Sequence, residues 1–231
     1  MRAALCIVVP VLNEADHLAS RLAQLQPLRQ RGARLVVVDG GSEDDTLAIA
    51  REHADLALLA PRGRAAQMNA GAAACPADVL LFLHADTRLP DNADALVRRA
   101  TLGPHGWGRF DVRIDSSRPL LRVVSGLMNL RSRWTGIATG DQALFVRHDL
   151  FSRVGGFPDL PLMEDIALSR DLKRHGPPNC LREQVLTSAR RWERHGAWRT
   201  ILLMWRLRAA FFLGADPAQL ARHYGYFSQQ R

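Results

Sequence analysis

Four short apolar runs, at residues 5–9, 35–38, 56–59 and 79–83, set the rhythm of the first half of the chain. Runs this short fit strands buried on both faces better than helices. Between the first two, Leu18, Leu22, Leu25 and Leu28 recur at helical spacing. Pro10 is expected to end the first strand and Asn13 to cap that helix, with Glu14 and Asp16 suiting the dipole of its first turn. Gly40 and Gly41 turn the chain after the second strand, and Ser42 is expected to cap the next helix with Asp45 three residues on. After Gly63, the small-residue segment 65–74 predicts a helix that packs close to its sheet. Strand and helix thus alternate, which implies one α/β layer system with right-handed crossovers.

The second half is less regular. Residues 91–100 predict a helix after Pro90, and Phe110, Val112 and Ile114 alternate in a strand at 106–114. Residues 118–134 form an amphipathic, basic segment, 136–141 a loop and 143–146 a strand. A turn follows at Gly155, Gly156, Phe157 and Pro158, then a helix over 161–173 and a segment 185–192 ending in Arg190, Arg191 and Trp192. Trp198, Ile201, Leu202, Trp205, Ala209 and Phe212 share one side of a terminal helix, which Arg208 borders. Such a helix either lies on a membrane surface or packs on the core. The expected fold is an open, mostly parallel sheet with helices on both faces and a helical tail. Residues 1–192 would be the main domain and 193–231 an amphipathic helical extension.

Length agrees: 231 residues suit one domain, or one with an appendage. Charge narrows the partners. The chain carries a net +8, but nine Arg against three acids from residue 181 onward leave only +2 for the first 180. No recognisable nucleic-acid module accompanies that basic tail, so no nucleic-acid partner is expected. A small ligand's phosphate or an anionic lipid fits it equally well. Cys6, Cys75 and Cys180 are widely spaced without a CxxC, and are expected to be reduced in a cytosolic protein. The N-terminus reads as a strand rather than a signal peptide, and no stretch reaches the length of a spanning helix.

The chemistry gathers where strands end. Asp39 and Asp86 each follow an apolar strand at its carboxyl end, where ligands of open α/β sheets sit. Asp86 either faces a ligand through a divalent metal or caps the next helix. Arg64 opposes the dipole at a helix start, so it either answers an anion or is a surface residue. Glu164 and Asp165 are either ordinary first-turn acids or a poised general base. A Gly-x-Gly-x-x-Gly after the first strand and a P-loop are both absent.

Together these residues resemble family 2 glycosyltransferases, the inverting nucleotide-sugar enzymes with the GT-A fold. The likeness runs to about Trp192. Val9 to Ala15 resembles the opening strand and nucleotide-binding turn, and Val37 to Ser42 the second nucleotide-binding segment. Gly63-Arg64-Ala65 with Met68-Asn69 resembles the segment that closes over the nucleotide. The resemblance implies nucleotide contacts from Pro10, Asn13, Glu14, Asp39, Gly40, Arg64, Asn69 and Ala85. It implies that Asp86 holds Mg²⁺ or Mn²⁺ and that Asp165 is the base, with Glu164 beside it. His84, Arg109, Asp141, Gln142, Arg191 and Trp192 are expected near the donor or acceptor sugar. His84-Ala85-Asp86 departs from the Asp-x-Asp of many members, which leaves Asp86 as the safer ligand. The motifs at 83–87, 108–110, 140–142 and 161–165 further resemble a bacterial subgroup linked with radical-SAM partners and arsenosugar biosynthesis.

The implied activity is metal-assisted transfer of a sugar, with inversion, from a nucleotide-diphosphate donor to a hydroxyl acceptor. The alternatives are a nucleotidyltransferase, which would want a Gly-rich loop after the first strand, and a non-catalytic membrane-surface binding module. The expected location is the cytoplasm, with peripheral attachment at the inner face of the membrane through the C-terminal helix as the open question.

Overall fold

The computed structural model describes residues 3–223; the side chains of residues 3, 191, 194, 195, 197 and 223 lie outside that description. The chain opens with β1 (Ala3–Val11), α1 (Ala15–Ala23), α2 (Gln26–Gln30), β2 (Ala33–Asp39), α3 (Thr46–His53) and β3 (Leu56–Leu59). It continues through α4 (Arg64–Ala74), β4 (Ala77–Phe82), β5 (Thr87–Arg88), α5 (Ala93–Thr101), β6 (Trp107–Asp115) and α6 (Pro119–Thr135). Last come β7 (Phe145–Arg147), α7 (His148–Arg153), α8 (Glu164–Lys173), β8 (Asn179–Ser188), α9 (Arg190–His195), α10 (Ala197–Phe212) and α11 (Pro217–His223).

The strands form one sheet in the order β3-β2-β1-β4-β7-β6-β8-β5. The first four pair in parallel, as the alternation of strand and helix requires. Pairing turns antiparallel at β4–β7, β7–β6 and β8–β5, while β6 and β8 are parallel. Strand β1 does not stop at Pro10 as expected. Its ladder with β4 ends at Val8, so the missing proline N–H costs no bond on that side, and pairing with β2 carries it to Val11.

Both sheet faces are covered. Leu5, Ile7 and Val9 pack on one side with Leu18 and Leu22, while Cys6 and Val8 pack on the other with Met68 and Ala72. That two-sided burial explains why these strands read as continuous apolar runs. Helix α4 lies so close that a Cβ at Gly71 would overlap the side chain of Val8. The same approach brings Cys6 and Cys75 together in a disulfide, with Cα atoms 6.4 Å apart, which corrects the expectation that all three cysteines are reduced. Cys180 is the free one.

Two predicted caps are corrected. Asn13 has a left-handed φ of 51°, and its Oδ1 accepts from the Glu43 N–H instead of capping α1, whose N-cap is Glu14. Ser42 Oγ accepts from the Asn13 N–H, and α3 starts only at Thr46. The two loops satisfy each other's backbone across 30 residues of sequence, which no local cap pattern reveals.

The C-terminal helices pack back on the body. Leu207 and Leu220 share a cluster with Leu162, Met163 and Ile166. The stripe expected on one side of α10 divides: Ile201 turns toward α6, while Trp198, Leu202, Trp205 and Phe212 are exposed. Among the described residues no helix is long and apolar enough to cross a membrane.

Candidate active site

Strands β1 and β4 run parallel, so their carboxyl ends reach the same edge of the sheet. A hollow of about 700 Å³ opens there. Pro10 and Glu14 line it from the end of β1, and His84, Ala85 and Asp86 from the turn after β4. Arg64, at the start of α4, and Glu164 and Asp165, at the start of α8, face the same space. Asp141 and Trp192 complete the predicted residues on its wall. The opposite wall comes from α6 and α10.

Asp165 is fixed by backbone donors. Its Oδ2 accepts from Gly140 N–H and its Oδ1 from Ile166 N–H, each at 2.7 Å. Gly140 belongs to a 3-10 turn at 140–142, where a side chain would collide with the His84 ring. His84 Nδ1 lies 3.3 Å from Asp141 Oδ1. The turn therefore joins the acid of α8 to the histidine after β4. Met163, just before α8, takes a left-handed φ of 69°. Non-glycine residues in that region cost about 1–3 kcal/mol each and persist where the surroundings impose them. Here the buried Met163 side chain anchors the turn that presents the two acids.

The acids differ in environment. Glu164 is buried, which pushes its carboxyl up to about 7, with neighbouring Asp165 adding to the effect and Arg64 opposing it. Glu14 is raised too, first by burial, while Arg190 at 3.6 Å pulls it back and Asp86 pushes it further. A carboxyl raised in the fold favours the folded state below its unfolded value of 4.5, and that contribution is lost as pH climbs to about 7. Glu164→Gln should therefore flatten the loss of stability between pH 4.5 and 7 and leave the variant more stable than wild type at pH 8. Chemical unfolding across that pH range checks this; parallel curves would refute a buried, proton-holding Glu164.

Several predicted contacts lie off the wall of the hollow. Asp39 is fully buried, and its Oδ1 accepts from Gly41 and Ser42 N–H at 2.7 Å, so the carboxylate folds onto its own turn. Its Oδ2 has no hydrogen-bond partner among the described residues. Gly40 packs against Gln67, whose amide bonds Val11 and Val38 carbonyls. Asn69 clasps both the N–H and C=O of Phe157. Gln142 is buried and closes a capping box with Thr139. The Arg191 side chain lies outside the described residues.

The largest correction is Arg109, which is wholly buried and faces no sugar site. Its guanidinium pairs with Asp111 and donates to Ser132 Oγ and the Asn129 carbonyl. Strand β7 pairs with β6 only at Trp107 and Gly108, and beyond them α6 lies along that open edge, where it meets Arg109. Ser125, Asn129 and Ser132 form a polar stripe on α6 that answers this strand, down to Ser125 and Asn129 accepting from Ile114 and Val112 N–H. That stripe recurs at helical spacing and was the available sequence signal. Reading by residues also missed Arg131 and Gln67 on the wall, and left Arg208 as a border residue of α10. Arg131 stands amid Leu127, Leu130 and Trp134, an unusual place for a charge.

The family described as "Glycosyl transferase family 2" matches residues 6–142. An undecaprenyl-phosphate 4-deoxy-4-formamido-L-arabinose transferase of Pseudomonas fluorescens is 34% identical over 61% of this chain and 45% of its own length. A mannosyltransferase, PcManGT, from Pyrobaculum calidifontis in complex with GDP-Man and Mn2+ superposes with a TM-score of 0.64 at 21% identity, covering 91% of this chain and 61% of that one. S. aureus TarS in complex with UDP-GlcNAc gives 0.65 at 17%, covering 81% and 58%. At such identities the structural likeness concerns the fold. The chain spans under half the length of this curated relative and under two thirds of both solved chains.

Proposed function

The chain belongs to glycosyl transferase family 2, and from that premise we propose that it moves a sugar from a nucleoside-diphosphate donor to a hydroxyl acceptor, with inversion at the anomeric carbon. The observation that carries the reading is the placement of Asp86 and Asp165 on two walls of one hollow at the carboxyl edge of the sheet. One acid sits where a diphosphate would be received, the other where an acceptor would arrive.

The residues divide the work as follows. Arg64 faces the diphosphate, since a guanidinium matches phosphate geometry. Glu14, on the wall of the hollow, accepts a hydrogen bond from the ribose or base. Asp165, held by two N–H groups, takes the acceptor hydroxyl's proton. The hydroxyl oxygen then bonds to the anomeric carbon. The bond from that carbon to the diphosphate oxygen breaks, and its electron pair leaves with the nucleotide. Glu164 keeps the floor beneath Asp165 from gaining a second full charge.

A divalent cation fits this site in one particular way. Among the described residues no three His, Cys, Asp or Glu side chains gather into a closed cage. Mg²⁺ and similar ions commonly bind through one or two carboxylates and the substrate's own phosphates. Asp86 supplies such a carboxylate, and its mutual repulsion with Glu14 is the kind of charge a cation relieves. When bound, the ion would offset charge on the departing diphosphate. The narrower likeness to the radical-SAM-linked subgroup belongs to this proposal as well. It loses its Gly108-Arg109-Phe110 element as a site motif, because Arg109 serves the core.

UDP and GDP, each with and without Mn²⁺, test the reading by thermal unfolding. A nucleotide at about 100 times its Kd should add roughly 2.7 kcal/mol, a rise of about 5–11 °C for a chain of this size. The rise should depend on Mn²⁺ and vanish in Asp86→Ala. No rise with any nucleoside diphosphate would remove the donor site.

A further inference from the structure

Two arginines from helices distant in sequence meet at the far end of the hollow. Arg131 of α6 and Arg208 of α10 line both it and a smaller adjoining cavity of about 250 Å³. Arg131 Nε and Nη2 and Arg208 Nε are buried and have no hydrogen-bond partner among the described residues. Burial, then repulsion from Arg208, lowers Arg131 to about 10, and burial lowers Arg208; a guanidinium in a protein keeps its charge. Two partly buried guanidinium groups with three buried idle donors are costly without an anion, and Asp165 and Asp141 act on them only through space.

The walls leading outward from this pair are apolar and uncovered. Leu127, Leu130 and Trp134 line the hollow from α6 and stand exposed, Trp134 at 81%. Trp205 of α10, 68% exposed, faces it from the other side, and Phe212 lines the smaller cavity. A surface that is cationic at its base and hydrocarbon-like along its exit matches a molecule of the same build.

We propose that Arg131 and Arg208 form the headgroup site for an amphiphilic acceptor: a lipid whose phosphate sits on the arginine pair and whose hydrocarbon chain leaves between α6 and α10. This rests on the glycosyl-transfer reading for the acceptor role and for Asp165 as the base, and not for the arginine pair or the apolar walls. The phosphate's several oxygens satisfy the three idle nitrogens. Asp165 lines the same hollow as both arginines, so a lipid held there carries its hydroxyl into the space the base faces. The exposed tryptophans and leucines then cover the chain instead of meeting water.

Octyl phosphate tests this, compared with octanol and inorganic phosphate, on the full chain with the nucleotide site filled by UDP or GDP and Mn²⁺. Tryptophan fluorescence and thermal unfolding report binding. Octyl phosphate should bind at least about tenfold tighter than either of its parts, and Arg131→Gln/Arg208→Gln should abolish that advantage, a loss of about 10–100-fold. Arg199→Gln/Arg206→Gln removes the same charge from exposed positions of α10 and should keep the preference. Leu127→Asp/Trp134→Asp, at exposed positions, should weaken octyl phosphate and leave inorganic phosphate unchanged. Equal binding of octyl and inorganic phosphate, or equal loss in both arginine double variants, overturns the proposal. A nucleotide response without an alkyl phosphate response sinks this inference and spares the transferase reading; the converse pattern does the opposite.

Discussion

Asp165→Asn should lower kcat by about 10²–10⁴-fold, the usual contribution of a general base, with donor affinity unchanged. The substitution is nearly isosteric. Its amide oxygen can still accept from either Gly140 or Ile166, but the NH₂ group cannot accept from the other. Losing one hydrogen bond to a carboxylate costs about 1.5–3 kcal/mol, too little to unfold a domain of ordinary stability. Nucleotide-induced thermal stabilisation therefore stays, and the loss appears in turnover alone. Steady-state kinetics with saturating donor make the measurement. Turnover equal to wild type, in a variant that still responds to nucleotide, would take the base role from Asp165.

Arg109→Met should lower stability by about 3 kcal/mol, the lower part of the range for breaking a buried ion pair by removing one partner. The lower part applies because Asp111 keeps Arg133, 2.7 Å away. The Asn129 carbonyl and Ser132 Oγ nevertheless lose their donors inside the α6–β6 seam. For a chain of this length that is a fall in Tm of about 6–12 °C. The nucleotide response of the surviving folded protein should be normal, since Arg109 does not reach the hollow. A stable Arg109→Met variant with impaired sugar transfer would restore the sugar-contact role that the sequence pattern assigned to it.

Arg64 and Arg109 show how far local pattern carries. Each follows a glycine and precedes an apolar residue, Gly63-Arg64-Ala65 and Gly108-Arg109-Phe110. One opens α4 on the wall of the hollow; the other lies in a strand whose open edge α6 covers. Local pattern sets Arg64 at a helix start and Arg109 inside a strand, but not which of the two faces open space. Asn69 and Gln142 repeat the lesson, as polar side chains expected at a ligand that instead satisfy buried backbone or turn groups. Glu14, His84, Asp86 and Glu164–Asp165 were legible because each stands where a buried apolar strand or turn gives way abruptly to charge.

The sequence by itself determined the parallel half of the sheet, its helices and the edge where polar groups collect. Hydrophobic period and strand ends are properties of neighbouring residues, and burial follows from them directly. Only the tertiary structure decided which polar groups face open space. It joined Cys6 to Cys75, turned Arg109 inward and set Arg131 beside Arg208. Each of those outcomes depends on a partner tens of residues away, and a buried charge or donor takes its meaning from that partner rather than from its neighbours in the chain.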